Sequence, residues 1–147
     1  NFTVTTRIEP GATVWADAEA VEQAFENLLS NAMKYSPERR EIEVETGQVE
    51  SYGYLRVRDH GVGIPPKFQR KIFRKFYRVE PDDGNGPQGC GLGLAIVDYV
   101  VRAHGGRVDV ESELGQGSTF TIKLPIVESP AGAGPWTSAA PSERTSV

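Results

Sequence analysis

The stretch NLLSNAMKYSP, residues 27–37, decides the fold, because it combines the spacing of a buried helix with an unusual set of polar side chains. A helix is predicted to begin after Asp17, whose carboxylate suits the N-cap position, and to continue to about Tyr35. It is predicted to end there, since the residue before Pro37 disfavours helical backbone. The stretch therefore forms the last turns of one long helix.

The two faces of this helix differ in chemistry. At 100° per residue its apolar side chains form one stripe: Val21, Phe25, Leu28, Leu29 and Ala32. Asn27, Asn31, Lys34 and Tyr35 fall together on the opposite side. Unpaired buried polar groups cost roughly 1–3 kcal/mol each, so this polar face either meets solvent or binds a ligand. A ligand would combine a hydrated Mg²⁺ on an Asn oxygen with phosphate on the Lys ammonium; the helix alone leaves both interpretations open.

The rest of the chain predicts a sheet and two further helical segments. Strands are predicted from alternation at Phe2–Ile8, Glu41–Val49 and Tyr54–Asp59, helices at Lys67–Phe76 and Leu92–His104, and a closing hairpin at Arg107–Glu113 and Ser118–Leu124. This order predicts an α+β fold, a two-layer α/β sandwich whose mixed sheet of about five strands carries three helices on one face. The domain is predicted to span residues 1–127. Residues 128–147, rich in Pro, Ala, Gly, Ser and Thr, are predicted to be a disordered tail.

Composition excludes several classes of protein. A net charge of −4 over 147 residues gives no reason to expect nucleic acid or anionic membrane as a partner. Cys90 is the single cysteine, so an intrachain disulfide is impossible, and Cys and His are too few for a structural zinc site. No stretch approaches the roughly 18 consecutive apolar residues of a membrane helix. We expect a soluble fragment that begins within a strand.

A glycine-rich segment, DHGVGI at residues 59–64, follows a predicted strand directly. The carboxylate of Asp59 is a hydrogen-bond acceptor at the end of that strand, and Gly61 and Gly63 admit close backbone approach. This combination suits recognition of a flat ring that carries an amino group, as the N6 amine of adenine does. A plain glycine-rich turn is the alternative.

A second glycine-rich segment, GCGLGL at residues 89–94, opens the last predicted helix. Free N–H groups at a helix N-terminus, with the positive end of the helix dipole behind them, form an anion site. The segment is neither a P-loop, which has the pattern GxxxxGK[ST], nor a dinucleotide fingerprint, because a polar loop replaces the preceding strand.

In this order the motifs resemble the catalytic ATP-binding domain of bacterial sensor histidine kinases, of the GHKL superfamily with its Bergerat fold. The resemblance covers about residues 2–127 and includes the N box at 27–37, the first glycine box at 59–64, the F box at 72–78 (IFRKFYR), the second glycine box at 89–97 and the third at 115–120 (GQGSTF). Five motifs in the expected order make the resemblance highly specific.

The resemblance implies roles for the residues around the metal and the phosphates. Asn31 would coordinate Mg²⁺, and Asn27 would line the phosphate site one turn away. Lys34 and Arg78 would contact the β- and γ-phosphates. The helix start would wrap the triphosphate with Gly89, Gly91, Leu92 and Gly93. Residues from about 78 to 88 would form a flexible ATP lid.

It also implies how the purine is held. Asp59 would accept a hydrogen bond from adenine, and Gly61 and Gly63 would allow the ring to approach. Tyr35 would pack beside the nucleotide, and Thr119 would join the water-linked adenine contacts.

Five features outside these motif roles have simpler interpretations. His60 and Cys90 replace the common Asn and Thr of the motifs, and an exposed, inert His and a small substitute are expected. Trp15 is expected in the core, and His104 is expected to cap a helix C-terminus. A solvated helix face is favoured over nucleic-acid binding for the run of basic side chains Lys67, Arg70, Lys71, Arg74, Lys75 and Arg78, with Arg78 excepted because of its phosphate role.

The implied function is transfer of the γ-phosphoryl group of Mg-ATP to a histidine on a separate dimerisation domain, in two-component signalling. Hydrolysing relatives place a Glu one turn before the metal-binding Asn, but Asn27 stands there and an amide is not a general base. The alternative is an anti-sigma-factor Ser/Thr kinase of the same fold. The implied partners are that dimerisation domain and a response regulator. The domain is expected to be monomeric and cytoplasmic, within a homodimeric, membrane-anchored parent, and to bind ATP without autophosphorylation.

Overall fold

The computed structural model describes residues 1–10, 12–80, 84 and 86–127, so the tail predicted at 128–147 lies outside the described residues. Its elements, in chain order, are β1 (Thr3–Ile8), α1 (Ala18–Tyr35), β2 (Glu41–Val49), β3 (Tyr52–Asp59), α2 (Gly93–Ala103), β4 (Arg107–Glu113) and β5 (Gly117–Pro125). The sheet order is β1-β2-β3-β5-β4, with β1 parallel to β2 and every other pair antiparallel. The predicted mixed five-stranded sheet is confirmed.

One face of the sheet carries the core, and the other is charged. Strand side chains alternate, so that one set packs against the two helices: Ile42, Val44, Val57, Phe120, Ile122 and Leu124. The helices contribute Ala24, Leu28, Ala32, Val97, Val100 and Val101. The opposite face pairs charges across strands, for example Arg56 with Glu45 at 3.3 Å and Lys123 with Asp109 at 2.6 Å. The sheet is therefore open to solvent on one side.

The predicted boundaries of α1 are confirmed by its caps. The Asp17 side chain accepts a hydrogen bond from the backbone N–H of Ala20 at 3.2 Å, and Ser36 is the C-cap residue. Within the described part of the chain, no helix is long and apolar enough to cross a membrane.

The segment between β3 and α2 was predicted as one helix over 67–76. It instead forms two single 3-10 turns, Pro66–Phe68 and Lys71–Phe73. Arg74 leaves the helical region with ψ 141°, and Phe76 adopts a left-handed φ of 64°. This bend lets the Phe76 N–H donate to the carbonyl of Gly91 at 2.9 Å, so a contact with the second glycine box replaces continued helix.

Trp15 was expected in the core, but the prediction is wrong, since its side chain is 75% exposed. Val14 forms a β-bridge with Ile126, and Val14 and Ala16 both pack against the core. Side chains alternate in extended backbone, so the residue between these two points outward.

His104 lies at the C-terminus of α2, as predicted, and it also binds the first helix. Its Nδ1 lies 2.6 Å from the carbonyl of Val100, and its Nε2 accepts from the backbone N–H of Asp17 at 3.0 Å. The tautomer that satisfies both bonds carries its proton on Nδ1. One neutral imidazole thus connects the end of α2 to the start of α1.

Candidate functional site

Asp59, at the end of β3, is a carboxylate on the core face of the sheet and is only 5% exposed. Its Oδ1 accepts hydrogen bonds from the backbone N–H groups of Gly61 at 2.9 Å and Ser118 at 3.2 Å. Burial raises the pKa of this carboxyl, and the two backbone bonds offset part of that rise. Two bonds to one oxygen fix the orientation of the carboxylate, and within the described residues Oδ2 takes no hydrogen bond of normal geometry.

The glycines after Asp59 serve the packing of the chain itself. A β-carbon at Gly61 would overlap the carbonyl oxygen of Tyr35, and one at Gly63 would overlap that of Glu113. Gly63 also has a left-handed φ of 71°. The predicted close approach is present, but it is made by neighbouring backbone. The glycine-rich segment is therefore packed between the end of α1 and the β4–β5 hairpin.

The polar face of α1 lies beside the start of α2. Asn27 Oδ1 is 3.1 Å from the position that a β-carbon at Gly93 would take, and Lys34 Nζ is 3.7 Å from the equivalent position at Gly89. The Asn27 amide also donates to the carbonyl of Gln23 at 3.0 Å. The structure thus brings Asn27 and Lys34 together with the second glycine box, while Asn31 is half-buried on the same helix.

The N-terminus of α2 has the features of an anion site. Its N-cap residue is Leu92, which has no side-chain acceptor to satisfy the first N–H groups, and no acidic residue lies in its first turn. Gly91 adopts φ 72°, and a β-carbon there would press on the backbone of Phe76 and Tyr77. The segment 89–93 therefore turns sharply onto the F box.

Arg78 lies at one end of the predicted lid, and its guanidinium donates to the carbonyl of Pro87 at the other end. The prediction that residues 78–88 form a flexible lid falls partly on residues 81–83 and 85, which lie outside the described residues.

Thr119, which was expected to join the adenine contacts, has its side chain on the opposite face of the sheet from Asp59. It pairs with Arg58 and Glu111, and its side chain lies on the charged face of the sheet. Phe120 is in the core, and alternation places Ser118 on the same side as Phe120 and Asp59. Counting back from Phe120 would have selected Ser118 from the sequence.

Two more serines were missed. Ser112 on β4 has its hydroxyl 2.8 Å from that of Ser118. Ser36 is fully buried, and its hydroxyl makes no hydrogen bond of normal geometry within the described part of the chain. The Ser36 hydroxyl nevertheless lies close to Asp59, and it offsets part of the rise that burial causes in the pKa of that carboxyl. The sequence offered no signal for Ser36 beyond its place at the helix end.

His60 differs from the exposed, inert side chain that was expected. Its side chain is 10% exposed, and Nε2 lies 2.9 Å from Glu43 Oε1 on the charged face of the sheet. Asp59 and His60 thus point to opposite faces of the sheet. Cys90 is exposed beside the start of α2.

The donor groups of this site suit a hydrated magnesium ion that is shared with phosphate. Within the described residues, no group of three or more His, Cys, Asp or Glu is placed to hold a metal by protein ligands alone. Asn31 offers one amide oxygen, which suits Mg²⁺ because this ion keeps several waters and takes phosphate oxygens as ligands.

Comparison with known proteins matches residues 16–128 to the family model described as histidine kinase-, DNA gyrase B-, and HSP90-like ATPase. The sensor protein SrrB of Staphylococcus aureus is 42% identical over 116 residues, which are 78% of this chain and 20% of SrrB. The chain thus spans about a fifth of the length of that relative.

Two solved structures superimpose well on the chain. The mycobacterial sensor histidine kinase MprB has a TM-score of 0.73 at 32% identity, over 85% of this chain and 82% of that one. Full-length ShkA, solved in complex with AMPPNP, has a TM-score of 0.75 at 30% identity, over 87% of this chain and 26% of that one.

Proposed function

The chain belongs to the histidine kinase-, DNA gyrase B-, and HSP90-like ATPase family, as a domain of the sensor-kinase type, and from this we propose that it binds Mg-ATP and donates the γ-phosphoryl group to a histidine of a separate dimerisation domain. The observation that carries the proposal is the placement of Asp59. It is a buried carboxylate whose Oδ1 is held by two N–H groups, and we infer that its Oδ2 is the atom that meets the ligand. A carboxylate so placed accepts a hydrogen bond from the amino group of adenine.

The phosphates would lie at the other end of the site, where Lys34 and the N-terminus of α2 meet. Asn31 would hold Mg²⁺, which neutralises phosphate charge when bound. In the transfer, a histidine nitrogen attacks the γ-phosphorus in line, the bond to the β–γ bridging oxygen breaks, and ADP leaves. Lys34 and Arg78 would stabilise the charge that develops on the phosphate oxygens.

Asn27 favours transfer to a protein over hydrolysis. It lies between the carbonyl of Gln23 and the start of α2, and an amide does not take a proton from water. The chain alone would therefore bind ATP and hydrolyse it slowly. The proposed partners are the dimerisation domain and a response regulator within a membrane-anchored parent.

The test combines the chain with the dimerisation domain of its parent protein and ATP labelled at the γ-phosphate. The expected product is acid-labile phosphohistidine on the dimerisation domain, formed only with Mg²⁺. Asn31→Ala should lose the response to Mg²⁺. Label on serine or threonine would favour the anti-sigma-factor kinase, and an Asn31→Ala chain that responds to Mg²⁺ like the parent would contradict the metal assignment.

A further inference from the structure

The hydroxyl of Ser112 lies at the centre of a hydrogen-bond network beside Asp59. It accepts from the backbone N–H of Ile64 at 2.7 Å. It lies 2.9 Å from the carbonyl oxygen of Gly117 and 2.8 Å from the hydroxyl of Ser118. The network therefore joins the first glycine box to the β4–β5 hairpin.

The positions of the two hydroxyl protons follow from these contacts. A carbonyl oxygen only accepts, so the proton between Ser112 and Gly117 belongs to Ser112. A hydroxyl has one proton, so the proton between the two serines belongs to Ser118. The reverse arrangement would leave two acceptor oxygens facing each other at 2.9 Å with no proton between them. Ser118 therefore donates to Ser112 and offers other groups only its lone pairs.

With this assignment, Asp59 and the Ser118 hydroxyl offer a ligand only hydrogen-bond acceptors. Asp59 Oδ1 is occupied by the N–H groups of Gly61 and Ser118, whereas Oδ2 takes no hydrogen bond of normal geometry from the part of the chain that the structure describes. The Ser118 hydroxyl lies on the same face of the sheet as this carboxylate and has no proton to donate. An amino group that faces both acceptors is satisfied there, whereas a carbonyl in the same position is not.

We propose that Ser112 is a positioning residue that sets nucleobase specificity: by taking the proton of Ser118, it keeps that hydroxyl an acceptor beside Asp59, so that the site takes a 6-aminopurine and rejects a 6-oxopurine. The inference rests on the proposed function, because it concerns the same purine end of the site. Ser112 acts through Ser118 and need not touch the nucleotide.

Gln69 restrains the backbone on both sides of the network. Its Nε2 donates to the carbonyls of Ile64 at 3.0 Å and Ser112 at 3.1 Å, which uses both amide protons. Ser112 is thus restrained at its backbone by Gln69 and at its side chain by Ile64 and Gly117. The proton order is a property of this restrained geometry and is present before a nucleotide binds.

The test compares ADP with inosine diphosphate, which carries a carbonyl in place of the 6-amino group, by titration calorimetry on the full chain with Mg²⁺. In Ser112→Ala the Ser118 hydroxyl is free to turn and donate to the carbonyl of the inosine base. The preference for ADP over inosine diphosphate should then fall about fivefold, the effect of one hydrogen bond. Ser112→Thr keeps the hydroxyl and should keep the preference.

Thr121→Val is the matched control, since it removes a hydroxyl from β5 on the charged face of the sheet, and it should leave the preference unchanged. Ser118→Ala, which removes the acceptor itself, should also lower the preference about fivefold and serves if Ser112→Ala does not fold. Equal weakening of both nucleotides in the Ser112 and Ser118 variants would mean a merely structural role and overturn the inference. A parent chain that binds no ADP would instead overturn the proposed function itself.

Discussion

Asp59 is proposed to bind adenine at a cost in stability. The buried carboxylate keeps two backbone donors on Oδ1, yet its raised pKa shows that the fold disfavours its charge. Asp59→Asn should therefore leave the nucleotide-free chain at least as stable at neutral pH. It should weaken ADP binding about tenfold to a hundredfold, because it removes a charge-assisted hydrogen bond that contributes about 1.5–3 kcal/mol.

Calorimetry of unfolding and of ADP binding measures both effects. Asp109→Asn is a control from the charged face of the sheet, where the carboxylate pairs with Lys123, and it should not alter ADP affinity. Unchanged affinity in a folded Asp59→Asn chain would contradict the role of Asp59.

The pH dependence of stability has a definite sign at the same residue. The folded pKa of Asp59 is raised above its ordinary value of 3.8, so its contribution to stability is present below pH 3.8 and is lost as the pH rises through the folded value. Compared with Asp59→Asn, the parent should thus lose stability over this range. When the pH falls through the same range, the parent should gain stability but lose ADP affinity, because acid protonates the carboxylate. A free energy of unfolding that gave the same pH profile in both chains would refute the shift.

At the scale of elements, His104 connects the two helices that carry the site. His104→Ala removes its bonds to Val100 and Asp17, and about 1–3 kcal/mol of unfolding free energy should be lost. Denaturant titration measures this, with Arg39→Ala as the control because its guanidinium pairs with the exposed carboxylate of Glu41 at the surface. A loss in His104→Ala no larger than in the control would show that the connection contributes nothing.

The first glycine box offers a second test at this scale. Gly61→Ala should cost about 3 kcal/mol or more, because its methyl would overlap the backbone of Tyr35. Gly115→Ala meets open space at a left-handed φ of 80°, so backbone strain alone should cost about 1–2 kcal/mol. Thermal unfolding ranks the two. A Gly61→Ala chain as stable as Gly115→Ala would mean that this segment moves freely against α1.

For the whole molecule, alternation and capping predicted most of the fold. Asp17 and the Ser36-Pro37 pair gave the ends of α1, and strand alternation separated the core face from the charged face. The F box was harder, because Phe76 bends to reach Gly91, a contact 15 positions along the chain that local propensity does not contain.

The motifs predicted a site, and the structure shows that they did not fix the direction of every side chain near it. Motif order led to Thr119, whereas the alternation of β5 turns that side chain away and turns Ser118 inward. The prediction for Trp15 was wrong for the same reason. Its hydrophobicity suggested the core, but alternation in extended backbone turns its side chain outward. Ser36 and the proton order of Ser112 depend on contacts between distant segments, which no local pattern encodes.

We expect one continuous site to hold adenine at Asp59 and phosphates at the start of α2. A crystal structure of the chain with Mg-AMPPNP would show where the nucleotide lies. The adenine amino group should lie within hydrogen-bond distance of Asp59 Oδ2, with the phosphates at residues 89–93 and the metal on Asn31. Nucleotide bound elsewhere on the domain, or none at millimolar concentration with Mg²⁺ present, would contradict it.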